Sequence, residues 1–578
     1  MLKGKKFKFF LPAMISLLII AVSSTSISLF AASDTTSDFK QLNYTQLLSD
    51  MGTGWNLGNT LEASINGTPS ETAWGNPTVT KDFITKVKAA GFKSIRIPVS
   101  YLSKIGPAPD YTVDAAWLNR IQEIVDYVYS QGMYAIINMH GDGYKTVAGS
   151  WLLCYADEQT SIKAKYQKVW QQIANKFINY NEHLIFESMN EEFDGDWDDP
   201  KPSDYANLNA YNQVFVDTIR QTGGNNSARW LLIPGWNTDI NYTTGNYGFV
   251  IPTDNYRSSS IPSSEKRIAI SVHYYSPWDF CGDNGPVTQW GEGSTNPDKA
   301  PSWGQEDYME AQFNTMYKKF VTQGYPFMVG EYGSIDKTSS DPTNNTYRAT
   351  FAKALCKTVR KYGGLPMYWD NGYNGDGGFA VFDRKTSSIT QKGVIDAIMN
   401  ALSTTPAFDP SVTPVLVTPT PLPSGSFTVD YDVGGSGTIN LTIKNNLTTK
   451  NINGWTMEFT FPEDQKITSM WGGTYTQNGA QVTIKNADYT SKISANGGVV
   501  TLGFNVSYSS ANNKPSSIII NGSAATIVGV VTTPKPTTTI TPTVTKAPTA
   551  TPTQIVGDIN GDGTVNMADV VLIAGSFN

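Results

Sequence analysis

At 578 residues the chain is too long for one ordinary domain, so several are expected. It holds 14 Trp and 29 Tyr, and its formal charge is −7. An acidic, aromatic-rich chain argues against a polyanionic partner such as nucleic acid or an anionic membrane surface, and it suits a neutral ligand.

Residues 1–32 read as a secretory signal peptide. Lys3, Lys5, Lys6 and Lys8 precede an apolar run from about Phe9 to Val22, and Ala31-Ala32 offers small residues for cleavage. The run is short for a membrane span of ~20 residues. A secreted, extracellular chain with no membrane association after cleavage is therefore expected. Removing these four lysines from the 43 basic residues leaves 39 against 50 acidic, a balance of −11. The odd cysteine count (Cys154, Cys281, Cys356) rules out complete internal pairing, and buried free thiols are expected.

From about Asp38 to Leu402, strand-like and helix-like stretches alternate eight times. The strand candidates end near Gly58, Ser100, His140, Glu191, Trp236, Tyr275, Gly333 and Asn371. Several are near-continuous apolar runs, as expected when both faces of a parallel sheet are covered. Between them Leu118, Ile121, Val125 and Val128, and then Tyr166, Val169, Ile173 and Phe177, recur at helical spacing. Gly91, Gly132, Gly324 and Gly363 stand where these helices should stop. Eight such units over 38–402 predict a (β/α)8 TIM barrel, an α/β fold with enlarged loops. The rival doubly wound sheet lacks a Gly-x-Gly-x-x-Gly after its first strand.

Residues 403–424 are rich in Pro, Thr and Val and read as a linker. Over 425–528 the period changes to two: Trp455, Met457, Phe459 and Phe461 share one face, and an antiparallel β-sandwich is expected. A second Thr/Pro linker covers 529–554. In the last segment, 555–578, Asp558, Asn560, Asp562, the Thr564 carbonyl, Asn566 and Asp569 fall at positions 1, 3, 5, 7, 9 and 12 of an EF-hand-like loop. Gly563 stands at its turn, so Ca2+ is expected there.

Functional side chains of such a barrel lie at the C-terminal ends of strands. Those ends carry Arg96, His140, Asn190-Glu191, His273 with Tyr275, Glu331 and Trp369. Both Glu191 and Glu331 close an apolar run, and two facing carboxylates are what cleavage of a glycosidic bond needs. His183 precedes its strand and is expected to make a structural hydrogen bond. Glu187 is expected inside its strand and Glu192 as a loop charge. Trp74, Trp151, Trp236, Trp278, Trp290 and Trp303 are candidates for sugar stacking or for core packing, and the sequence does not sort them.

This set resembles the retaining glycoside hydrolases of family 5, the cellulase family. Finer motifs look like its fourth subfamily of broad β-1,4-glucanases: Asn56-Leu57-Gly58-Asn59-Thr60-Leu61-Glu62, Glu71-Thr72-Ala73-Trp74-Gly75-Asn76-Pro77 and His273-Tyr274-Tyr275-Ser276-Pro277-Trp278-Asp279-Phe280. One departure is that Gly141 follows His140, where many members have a second histidine. The resemblance implies a secreted retaining endo-β-1,4-glucanase that needs no cofactor for catalysis. Glu331 would be the nucleophile and Glu191 the acid and then the base. Arg96 and Tyr275 would favour the charged Glu331, Asn190 would hold the substrate 2-hydroxyl, and His140 and His273 would hold the sugar. Asn59 and Trp369 would touch substrate. The alternatives are a xyloglucanase, mannanase or xylanase on the same scaffold, or a non-catalytic cellulose-binding scaffold component.

The sandwich looks like a family 2 carbohydrate-binding module, with Trp455 in its core and Trp471 and Tyr489 at cellulose-stacking positions. A third platform position falls near Val433 and Tyr431, and the usual terminal disulfide is absent. The terminal loop resembles one of the two repeats of a dockerin, which implies a cohesin of a scaffolding protein as partner.

Overall fold

The computed structural model describes residues 39–414, 422–448 and 450–529. The segment expected to be a signal peptide, most of the expected second linker, and Asp558 to Asp569, where Ca2+ is expected, lie outside the described residues. Within them the chain forms a barrel and a sandwich.

The barrel strands are β1 (Gly54–Asn56), β2 (Ser94–Ile97), β3 (Tyr134–Ile137), β4 (Leu184–Glu187), β5 (Leu231–Pro234), β6 (Ile268–Tyr274), β7 (Phe327–Tyr332) and β8 (Gly364–Tyr368). They close in the order β1-β8-β7-β6-β5-β4-β3-β2, each pair parallel. Every strand residue is buried, which is why the runs read as continuously apolar.

A first helix, α1 (Tyr44–Met51), starts from a capping box between Asn43 and Gln46 and lays Leu47, Leu48 and Met51 across the lower barrel. There they join Tyr134, Ile136, Ile185, Leu232, Met328 and Leu365, the side chains that fill the lumen. The outer helices are α2 (Lys81–Ala89), α3 (Ala115–Tyr129), α4 (Gln159–Lys176), α5 (Pro202–Gln221), α6 (Glu306–Lys319), α7 (Asn344–Lys361) and α8 (Lys392–Thr404). The expected stripes of α3 and α4 are buried. Gly91, Gly132, Gly324 and Gly363 all have positive φ. Helix α8 runs to Thr404, and Phe408 still packs on Tyr44 and Tyr317, so the chain stays docked past the residue where a linker was expected to begin.

Strand pairing stops one to four residues before the expected ends. Asn59, His140, Asn190, Glu191 and Trp369 therefore sit on the loops just past the ladder, where a side chain is free of the period-two alternation. Strand β7 holds one residue more than either neighbour over the same span. Val329 pairs with Val272 and Pro366, yet Glu331 pairs with His273, and Tyr332 with Tyr368. This bulge at Gly330 re-aims Glu331 into the barrel mouth.

The sandwich strands are β9 (Phe427–Val433), β10 (Thr438–Asn445), β11 (Thr456–Thr460), β12 (Lys466–Trp471), β13 (Gly473–Asn478), β14 (Gln481–Asn486), β15 (Val499–Ser507), β16 (Ile518–Ile520), β17 (Ser523–Ala524) and β18 (Thr526–Ile527). They form two sheets, β12-β15-β10-β9-β18 and β13-β14-β11-β16-β17. The β9/β18 pair is parallel, which corrects the purely antiparallel expectation. Val429, Tyr431, Leu441, Met457, Phe459 and Phe504 are among its buried side chains. All three cysteines are buried and free. Among the described residues no helix is long and apolar enough to cross a membrane.

Candidate active site

The upper barrel interior is polar. Arg96, fully buried on β2, reaches four groups. Its Nε donates to Glu187 at 2.7 Å, and Nη1 donates to Glu331 at 2.7 Å and to Asn56 at 3.1 Å. Its Nη2 donates to Asn190 at 2.7 Å. Burial alone would disfavour the guanidinium charge, but the Glu187 and Glu331 carboxylates outweigh it and raise the Arg96 pKa. Glu187 is the more deeply buried of the two acidic partners, fixed further by Asn138 at 3.0 Å and Ser271 at 2.6 Å. Because Asn190 spends its oxygen on Arg96, its amide nitrogen is left to donate.

Above this layer Glu331 accepts a second hydrogen bond, from the Tyr275 hydroxyl at 2.9 Å. Burial, and then the Glu331 and Glu191 charges, push the Tyr275 phenol well above its usual range, so it remains a donor. His273 Nδ1 lies 2.7 Å from Glu191 and 3.6 Å from Glu331. One carboxylate oxygen of Glu191 and one of Glu331 lie within 4.8 Å of each other. His140 hydrogen-bonds Asn138 at 3.2 Å, and its ring lies parallel to Trp369 with centroids 6.2 Å apart. Burial, with Arg96 and His273 beside it, holds the His140 imidazole well below its ordinary range. The Trp369 ring passes so close to Gly58 that a Cβ there would come within 2.8 Å of it.

The structure thus gathers Arg96, His140, Asn190, Glu191, His273, Tyr275, Glu331 and Trp369 at one rim. Asn59 is half-buried on the β1 loop, with its carbonyl held by Asn76 at 2.8 Å. His183 stays apart, stacked on Tyr134 at 4.1 Å. Glu192 is not a loop charge. It is buried, accepts the Cys154 N–H at 3.2 Å, and burial pushes its pKa well above the usual carboxylate range. Of the tryptophans, Trp236 and Trp290 are core, Trp151 is half-buried, and Trp74, Trp278 and Trp303 are exposed. The sequence reading missed Asn138 and Ser271 as parts of this layer. A lone polar residue inside an otherwise apolar strand was the available signal.

In the sandwich, Trp471 is 43 % exposed and Tyr489 79 %. The Trp471 ring lies over Gly503, where a Cβ would come within 2.2 Å of it. Tyr431 is fully buried against Phe459 and Phe504, so it is not a third surface ring.

No demand of packing collects these polar groups at one end of a parallel barrel, and together with the fold they define the class: the molecule is a glycoside hydrolase. The family described as Cellulase (glycosyl hydrolase family 5) matches residues 58–375, and the chain belongs to that family. A second match, to the family 2 cellulose binding domain, covers residues 424–525. The chain is similar to Endoglucanase A of Paenibacillus barcinonensis, 60 % identical over 399 residues that span 69 % of this chain and 99 % of that protein. Among solved structures it is similar to a family 5 xyloglucanase from Paenibacillus pabuli. There the identity is 66 % and the TM-score 0.61, with 62 % of this chain and 100 % of that one covered. It is also similar to a GH5-4 broad specificity endoglucanase from Bacteroides salanitronis, at 37 % identity and TM-score 0.58, covering 64 % and 97 %.

Proposed function

We propose that Glu331 is the nucleophile and Glu191 the acid and base of a double displacement at internal β-1,4-glucosidic bonds. The protein is a retaining endo-β-1,4-glucanase. Glu331 forms a bond to the anomeric carbon as the bond from that carbon to the leaving oxygen breaks, and the proton of Glu191 passes to that oxygen. Water then attacks the same carbon, gives its proton back to Glu191, and frees Glu331. The observation that carries this reading is the approach of the two carboxylates to within 4.8 Å. It suits the ~5–5.5 Å of retention and leaves no room for the water that separates the groups by ~6.5–9.5 Å in inversion. Arg96 and Tyr275 hold Glu331 in line, Asn190 donates to the 2-hydroxyl, His140 and His273 hold the sugar, and Trp369 stacks on the pyranose being cleaved. No cofactor enters these steps.

The chain fits the fourth subfamily, with xyloglucan as a second substrate. The 66 % identity to the Paenibacillus pabuli xyloglucanase favours that addition over mannan or xylan. Asn59 contacts substrate beside Trp369. Trp471 and Tyr489 stack on cellulose and keep the enzyme on its solid substrate. The signal-like segment supports secretion, and the terminal Asp558 to Asp569 loop supports Ca2+ binding and a cohesin partner.

The test is chemical rescue. Azide added to Glu331→Gly with an activated aryl β-cellobioside should return an α-glycosyl azide, and azide with Glu191→Ala a β-glycosyl azide. First products of the wild type that are α-configured by NMR would sink the double displacement.

A further inference from the structure

The two carboxylates of the site are held very differently. Glu331 lies within strand β7 and takes hydrogen bonds from Arg96 and Tyr275. Glu191 stands past the end of β4 at Glu187, and among the described residues its carboxyl hydrogen-bonds His273 alone, at 2.7 Å. Strand pairing no longer fixes the backbone there, so the aim of this side chain depends on what holds its two neighbours. Asn190, before it, is tied to Arg96 at 2.7 Å. Glu192, after it, is a buried carboxyl that no step of the double displacement uses.

Glu192 is gripped at both ends. Its carboxyl accepts the Cys154 N–H at 3.2 Å, and its main-chain carbonyl accepts the Asn237 N–H at 2.9 Å. Cys154 lies on the loop after β3 and Asn237 on the loop after β5, the strands on either side of β4. The socket on the β3 side is itself braced. The Asp142 carboxylate accepts the N–H groups of Tyr101 at 2.8 Å and Leu102 at 2.7 Å, and Trp151 Nε1 at 2.7 Å. The Cys154 carbonyl accepts the Asn207 amide at 2.9 Å. Gly143 completes the socket, since a Cβ there would overlap the Glu192 carboxyl. Burial pushes the Glu192 pKa well above the usual carboxylate range, so the group in the socket is the neutral acid and glutamine is its nearest isostere.

A proton donor works only within hydrogen-bond reach of the oxygen it protonates. A misplacement of about 1 Å costs on the order of 100-fold in rate. The hold on Glu331, through Arg96 and Tyr275, does not run through this socket. Loosening Glu192 therefore acts on proton donation and spares the nucleophile.

We infer that Glu192 is the positioning residue of the acid/base: its carboxyl, plugged into the loop after β3, fixes the stretch of chain that aims Glu191 at the leaving oxygen. This rests on the assignment of Glu191 above. The experiment uses the full chain and reads kcat/KM on two β-cellobiosides that differ only in their leaving group. A dinitrophenolate departs without a proton, whereas phenolate needs one from Glu191. Glu192→Ala should lower kcat/KM on the phenyl cellobioside by about 10- to 100-fold and leave the dinitrophenyl cellobioside within about threefold. Gly143→Ala keeps Glu192 but displaces its carboxyl, and should give the same split. Glu192→Gln should return the phenyl substrate to within about threefold of wild type. Equal falls on both substrates, or none on either, overturn the inference. That holds for Glu192→Ala or, where this variant does not fold, for Gly143→Ala. Glu191→Ala serves as the reference and should show the split more deeply. If it lowers both substrates alike, the acid assignment itself fails, whereas a split there with none in Glu192→Ala sinks the positioning role alone.

Discussion

Glu62 offers a test of how burial sets the pH response of the barrel. Its carboxylate is 2 % exposed and accepts the backbone N–H of Thr60 at 2.8 Å and that of Asn59, whose φ is 54°. Arg384 is nearby but gives its hydrogen bonds to Gly58, Thr60 and Asp370. Burial outweighs the backbone donors and raises the Glu62 pKa to about 7. Below the unfolded pKa near 4.5 both states hold the proton and no penalty exists. As pH rises the unfolded chain releases it first, so stability falls until the folded group ionises near pH 7. A rise of this size corresponds to about 3 kcal/mol. Glu62→Gln removes the titration, but its amide nitrogen must face a backbone N–H, a pH-independent cost of ~1–3 kcal/mol. A protonated carboxyl keeps a lone pair on its hydroxyl oxygen and avoids much of that cost. Urea unfolding followed by tryptophan fluorescence should therefore show the wild type ahead of Glu62→Gln at pH 4.5. The lead should shrink by about 3 kcal/mol by pH 8, where the curves meet or cross. Parallel stability profiles for the two proteins would refute the reasoning.

Tyr275→Phe removes one of two donors to a charged acceptor. Since such bonds contribute ~1.5–3 kcal/mol, kcat/KM on an aryl cellobioside should fall by about 10- to 100-fold with the fold unchanged; full activity would remove Tyr275 from the site. In Gly330→Ala the new Cβ would meet His273 Nε2 at 3.2 Å and Ser271 Oγ at 3.3 Å. The imidazole must give by a few tenths of an ångström, which disturbs its Nδ1 contact with Glu191, and kcat should fall about tenfold with ~1–3 kcal/mol lost in stability, read by steady-state kinetics and denaturation. Trp471→Ala should weaken retention on cellulose about fivefold or more while hydrolysis of soluble glucan stays unchanged. Unaltered retention in a pull-down would make the sandwich a spacer.

The barrel and its two carboxylates were legible because they follow from local pattern. An apolar run that closes on Asn190-Glu191 or on Gly330-Glu331 states both the strand and the exception to it. The partners were less legible because they depend on distance in space. Glu187 reads as an ordinary strand residue until β2 and β4 are brought together around Arg96. Glu192 looks like a loop charge, since nothing local reveals that Cys154 and Gly143 enclose it. Tyr431 alternates correctly for a strand, but which face is inward was decided by Phe459 and Phe504 from other strands.

The barrel interior divides by height, and that division explains why Glu331 is held rigidly. Below, Tyr134, Ile136, Ile185, Leu232 and Met328 fill the lumen. Above, Arg96 meets two carboxylates in a space closed to water from beneath. In such a place an ion pair is weakly screened, and removing one partner leaves an uncompensated charge at a cost of ~3–5 kcal/mol. Glu331 therefore cannot leave Arg96 cheaply, and in the double displacement proposed above Glu187 would stay hydrogen-bonded to the guanidinium after Glu331 entered a covalent bond. On that proposal, the same carboxylate that looks like a spectator in the sequence keeps Arg96 paired through the half of the cycle in which Glu331 is esterified.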